Sequence, residues 1–367
     1  MQAWAFFSFL VAFLVPIAAA THPLVIGFDA VFHGHKLAAV AAGDLFPISF
    51  TQHRPPFSFP YGVSFYALLT PFVWLGLDIV TIVRWGAACS GLVGSAALFW
   101  LVAGASGGKE RPSVAALAVF ILQWIPLTFE VYSNANLSNI FAQTAAFVFF
   151  VWWAGGKPGG WPVGALFLIA GFYGHLSILI FLVILVASLL LCHRRELAEH
   201  RQGVVAVLVG LVGAALYYFQ FHEMIFEQLP RLLEGGRGGA GARGLVDSLL
   251  IQLNEAINQW GVPVIVLAIL GKWRSGRLDN SLKAYWMAGA VLAIAAVVSP
   301  MEVRYQYALV LPLAISAAEG ARFLVTGGVR QSGLSGWLVL LGWGLLGAQT
   351  ALGIHGIANA LLYAWRV

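Results

Sequence analysis

Apolar runs long enough to cross a bilayer follow one another along this chain with little between them, and they constrain its fold more than any motif does. A helix needs about 20 apolar residues to cross the hydrocarbon core. By that measure spans fall near residues 4–20, 79–103, 113–131, 137–155, 161–175, 176–192, 204–221, 258–271, 284–300, 305–325 and 335–353. Charged residues are 10% of the 367, against about 25% in a soluble domain. Lipid offers the backbone no hydrogen bonds, so runs of this length and composition become helices. The expectation is an all-α, polytopic integral membrane protein, with about 11 transmembrane helices in a single domain, 1–367, and no soluble domain.

The first run ends in AAATHP, whose small residues suit signal-peptide cleavage, yet Met1-Gln2-Ala3 carries no basic residue. A retained span is therefore expected. Cys89 and Cys192 lie inside apolar runs, which argues against a disulfide framework. The segment Tyr61–Leu77 is apolar and aromatic, but Pro60 and Asp78 bound it and Pro71 interrupts it. It reads as a helix lying along the membrane surface, the alternative being a span of minimum length.

Charge tests the topology. With a cytoplasmic amino terminus and 61–77 not spanning, 12 of the 20 basic residues fall in short cytoplasmic loops, as the positive-inside rule expects. The outer side then holds a first loop, 21–78, with juxtamembrane helices, and a second, 222–257. If 61–77 spans and the amino terminus lies outside, the inner side holds fourteen. Charge alone thus leaves the side of the first loop open. The net charge of +5 is spread over short loops and is no nucleic-acid footprint.

Polar chemistry concentrates in residues 27–56, GFDAVFHGHKLAAVAAGDLFPISFTQHRPP. Gly27–Val40 has helical character, and its spacing puts Asp29, His33, Lys36 and Val40 on one face. A carboxylate, an imidazole and an ammonium projecting together are parts of an acid–base site beside an anion. Each has a plainer role too. Asp29 suits a helix N-cap or first turn, Lys36 suits a snorkelling headgroup anchor, and Asp44 suits closing a turn in AGDLFP.

The order of elements, FDAVFHGHKLAAVAAGDLFP, then HRPPFSFPYGVSFYALLTPF, then IVRWG, with a late VRYQYALVLPLAISAAEG, resembles the C-fold (GT-C) membrane glycosyltransferases. The aminoarabinose and protein mannosyl transferases are of this kind. The resemblance implies transfer of a sugar from a polyprenyl-phosphate donor to an acceptor at the outer face, in a bacterial inner membrane with the site facing the periplasm. Under it, Asp29 is the general base, and His33 orients groups or protonates the leaving phosphate. Lys36, His53, Arg54 and Arg304 meet the phosphate or its neighbours. His175, in GFYGHLS at a membrane boundary, is a pathway-lining candidate. Expected partners are the lipid-linked donor and membrane lipids, with room for membrane-protein partners and none for nucleic acid.

Two departures keep other readings open. Relatives often carry a second acid near the position of His53-Arg54, and many carry one where this chain has YSNANLSN. A non-catalytic scaffold subunit of the same fold is one alternative. The other is a lipid-linked sugar flippase, which needs ionisable residues deep in several spans; Glu130 and Glu319 sit near span ends. Seven of nine histidines (His22, His33, His35, His53, His175, His222 and His355) fall on the expected outer side, and Asp29 with His33 is an i, i+4 pair. With no H-E-x-x-H or C-x-x-C pattern, no cofactor is expected, the alternative being a divalent metal with Asp29 and His33 as a ligand pair.

In the 222–257 loop, GGRGGAGARG lacks the order of a phosphate loop and reads as a hinge. After it, Leu249, Leu253 and Ile257 predict an amphipathic helix on the membrane surface. Asn136-Leu137-Ser138 matches a glycosylation sequon of a kind that arises by chance.

Overall fold

The computed structural model describes residues 2–21, 28–50, 58–104, 111–133, 136–157, 159–227, 245–274, 279–298, 306–326 and 335–364. Helices dominate them. The apolar runs become α1 (Gln2–Thr21), α4 (Ile79–Gly104), α5 (Arg111–Gln123) with α6 (Pro126–Ser133), α7 (Leu137–Ala154), α8 (Trp161–Phe172), α9 (Leu176–Cys192) and α10 (Arg201–Phe219). After these come α11 (Leu245–Trp260), α12 (Val262–Arg274), α13 (Asp279–Val298), α14 (Val310–Thr326) and α15 (Ser335–Ala364). Between α1 and α4 lie α2 (Phe28–Ala41), a short antiparallel hairpin of β1 (Ile48–Phe50) and β2 (Ser58–Pro60), and α3 (Ser64–Trp74). The chain is an integral membrane protein of all-α class.

Among the described residues four helices are long and apolar enough to cross a membrane, within α4, α7, α10 and α15. The bent pair α11–α12 makes a fifth candidate. The expected count of eleven is therefore not reached by length and composition, although a helix occupies every one of the eleven runs. Helix α3 has 11 residues, about 16 Å at 1.5 Å per residue, well short of a hydrocarbon core of about 30 Å.

Two runs break where their sequence gives a reason. The run 113–131 divides at Trp124-Ile125, because Pro126 cannot donate to the preceding turn and disfavours helix just before it. The run placed at 258–271 begins instead at Val262. Gly261 takes φ +87°, and α11 and α12 meet at 93°. One side chain spans both breaks: Nε2 of the buried Gln349, on α15, donates to the Trp124 carbonyl at 2.9 Å and to the Trp260 carbonyl at 3.0 Å.

Close backbone approach sets the tightest crossing, α12 against α14. A Cβ on Gly271 would sit 1.8 Å from the Ser316 carbonyl oxygen, and one on Gly320 would sit 1.9 Å from that of Leu267. Small residues at membrane helix crossings allow this approach and the dispersion contacts it brings. The core continues through α7, whose Phe147, Phe149, Phe150 and Trp153 are fully buried. Helix α7 packs on α4 and α8, α8 on α10, and α9 on α13.

Candidate functional site

Residues 28–41 are helical, as the spacing predicts, and one face of α2 is buried through Ala30, His33, Leu37 and Val40. Asp29 occupies the first turn of α2, but its side chain lies outside the described residues. Residues His53, Arg54 and Arg304 also lie outside them. The structure thus describes the side chains of His33, Lys36 and His175 from the expected site.

It brings these three around one residue the sequence reading did not single out, Tyr61. The Tyr61 ring meets His33 at 6.3 Å, Phe32 edge-on at 5.4 Å, Tyr66 at 6.3 Å and His175 edge-on at 6.0 Å. Its hydroxyl is 3.3 Å from Ser138 Oγ, and its carbonyl accepts from the Tyr217 hydroxyl at 2.9 Å. His33 is 4% exposed, with Nδ1 2.6 Å from the Tyr66 hydroxyl. Burial raises the Tyr66 phenol well above its ordinary range, so it stays neutral. In the tautomer where that phenol donates to Nδ1, Nε2 carries the His33 proton.

Lys36 reaches along α2 to the hairpin. Its Nζ donates to the Ile48 carbonyl at 2.6 Å and lies 5.4 Å from the Phe32 ring centroid and 6.0 Å from that of Tyr61. Burial pulls the Lys36 ammonium below its usual range, and the Asp44 carboxylate acts against that shift. Asp44 closes the turn it was expected to close, its Oδ1 accepting from Phe46 N at 3.1 Å. An ammonium part-buried against two rings and one carbonyl is a cation held in place by its neighbours.

His175 holds a turn between helices. A sharp join falls at Gly174-His175: α8 ends at Phe172, and His175 caps α9. Nδ1 accepts from Ser177 N at 3.2 Å and lies 2.8 Å from Ser177 Oγ, the bond of an N-cap made by an imidazole. The segment entering α3 docks on this turn. Ser64 N donates to the Tyr173 carbonyl, and Ser64 Oγ donates to that of Ala170. A Cβ on Gly62 would sit 2.2 Å from the Gly174 carbonyl oxygen. Only glycine at position 62 lets the chain lie this close, which brings Tyr61 to His175.

Beside the cluster runs an apolar groove of about 1020 Å³ between α3, α4, α7 and α8. Val63, Ser64 and Tyr173 line its site end, and Leu68, Val93, Val148 and Leu166 line its length. A polar and aromatic cluster beside a long apolar trough suits a ligand with a polar head and a hydrocarbon tail.

Helix order, the first-loop helices and the hairpin together make this a GT-C-like fold. No family model and no curated protein matches the sequence. Among solved structures, ArnT from Cupriavidus metallidurans bound to undecaprenyl phosphate superposes with a TM-score of 0.60 at 12% identity, over 98% of this chain and 76% of that one. The same protein in the apo state gives 0.54 at 12% identity, over 99% and 74%. The archaeal oligosaccharyltransferase AglB from Archaeoglobus fulgidus, in complex with an inhibitory peptide and a dolichol-phosphate, gives 0.57 at 12% identity. That likeness covers 98% of this chain, which spans 56% of the AglB chain. At this identity the likeness is one of fold.

Proposed function

We propose that this protein is a membrane glycosyltransferase that moves a sugar from a polyprenyl-phosphate donor to an acceptor hydroxyl at the outer face of a bacterial inner membrane. The observation that carries the reading is the Tyr61 cluster beside the apolar groove, on a fold shared with structures that hold undecaprenyl phosphate and dolichol-phosphate. An isoprenoid tail would lie in the groove with its phosphate near Tyr61 and Lys36.

In the reaction the acceptor oxygen forms a bond to the anomeric carbon while the bond from that carbon to the phosphate oxygen breaks, its electron pair leaving with the phosphate. Asp29 takes the acceptor proton, a role that requires a carboxylate within hydrogen-bond reach. Lys36, Arg54 and Arg304 hold the leaving phosphate, where cations stabilise the charge that develops. His33 and His53 orient these groups or return a proton to the phosphate. His175 acts on the site by holding the turn against Tyr61.

The test is transfer from a radiolabelled polyprenyl-phosphate sugar in membranes containing the protein. Asp29→Asn is expected to lower transfer by about 100-fold or more, the scale of a lost general base. Equal transfer by both proteins would remove Asp29 from catalysis. A second reading, a non-catalytic scaffold of the same fold, draws support from His33 and His175, which are buried and hydrogen-bonded inside the protein. It predicts no transfer from any such donor by the native chain.

A further inference from the structure

We propose that His193, Glu196 and His200, in the link between α9 and α10, bind a divalent cation of the zinc class. One donor atom from each lies within 4.8 Å of the other two. His193 Nδ1 is 3.4 Å from Glu196 Oε2, and the two imidazole rings are 4.4 Å apart. In a tetrahedral zinc site, bonds of about 2.0–2.1 Å put ligand atoms roughly 3.3–3.4 Å from each other. The first pair already has that spacing, and the third ligand needs to close by on the order of 1 Å.

Three further observations fit a cation. His193 turns its other nitrogen, Nε2, to Ser281 Oγ on α13 at 3.1 Å, as a ligating imidazole does when an outer partner fixes its orientation. The second is His200 Nδ1, buried with no hydrogen-bond partner among the described residues. It is a buried polar atom left unsatisfied on one of the three residues that converge. Third, Trp153 stacks on the His200 ring at 5.3 Å and 12°, which holds the imidazole in place. A simple His193–Glu196 ion pair explains less. Glu196 is 47% exposed, a setting in which ion pairs contribute little, and such a pair leaves His200 unexplained. Lys157, 5.5 Å from the Trp153 ring centroid, faces the same corner and its charge opposes a cation there, which the Glu196 carboxylate offsets.

Two imidazoles and one carboxylate suit zinc and leave a fourth position for water. Such an ion would clamp the α9–α10 link to the end of α7 and to α13. His175 and His193 cap opposite ends of the 17-residue α9, about 25 Å apart at 1.5 Å per residue. The cation site is therefore separate from the Tyr61 cluster, and its failure would leave the transfer reading untouched.

The test uses the full-length protein in detergent, stripped with chelator and titrated with zinc chloride by calorimetry, with cobalt(II) absorption reporting geometry. About one equivalent of zinc is expected, together with a rise in melting temperature on zinc addition. His193→Asn and His200→Asn should each weaken zinc binding by on the order of 100-fold, and Glu196→Gln by at least about 10-fold. Glu199→Gln and His222→Ala should bind as the native chain does. Because Glu196 is exposed, its variant keeps the metal-free melting temperature and separates lost binding from lost folding. The proposal is overturned if natively melting wild-type protein takes up no zinc, or if Glu196→Gln and His200→Asn bind it as tightly as wild type.

Discussion

The 2.6 Å contact between His33 and the Tyr66 hydroxyl is the most consequential single bond described in the site. Both side chains are buried, so deleting either partner takes a hydrogen bond from the other, at a cost of about 0.5–1.5 kcal/mol. Tyr66→Phe should therefore lower the melting temperature, and His33→Phe should do the same. In the double variant the losses should not add, giving a coupling of about 0.5–3 kcal/mol. Thermal denaturation of the four proteins in one detergent checks it, and strict additivity would show that the bond contributes nothing. The sequence placed His33 and Lys36 on one face of a helix, where they are found. It gave no sign of Tyr61 as their common neighbour, because a tyrosine in an aromatic run reads as core. The signal available was the run PYGVSFY itself, two tyrosines flanking a glycine just before a helix that starts at Ser64.

At the scale of elements, both broken helices depend on the same amide. Gln349 is almost fully buried and supplies a donor to the carbonyls freed at Trp124 and at Trp260. Breaks in membrane helices are tolerated where neighbours satisfy the freed backbone in this way. Gln349→Leu keeps the approximate volume and removes the donor, leaving two carbonyls without it. It should destabilise the protein by about 1–2 kcal/mol, measured by thermal melting in detergent, whereas Gln349→Glu, protonated at low pH, should recover part of the loss as pH falls. An unchanged melting temperature in Gln349→Leu would show that the carbonyls find other donors. Pro126 made the first break legible in the sequence. The second follows from Gly261, whose left-handed conformation cannot be read from glycine alone.

Across the whole molecule, the two ends of α7–α10 differ in chemistry. The Tyr61 cluster, Ser138, His175 and Tyr217 gather at one end; Trp153, Lys157, His193 and His200 gather at the other. On the proposed topology the first end faces outward and the second, with Arg194, Arg195 and Arg201, faces the cytoplasm. With Cys89 and Cys192 replaced by alanine, a cysteine at exposed Leu45 should react with a membrane-impermeant maleimide in intact spheroplasts. One at exposed Arg194 should react only after permeabilisation. The reverse pattern would turn the molecule over and remove the outer-face reading of the site.

What the sequence determined by itself is what local chemistry dictates. Long apolar runs had to become helices because lipid leaves the backbone no other partner, and 28–41, the Asp44 turn and the amphipathic α11 followed from spacing and turn residues. Tertiary structure decided which residues share a site. Tyr61 meets His175 across more than a hundred residues of chain because Gly62 admits the Gly174 carbonyl, and His193 meets Ser281 because α9 packs on α13. Such meetings depend on how close two backbones can come, a property of the pair and not of either segment alone.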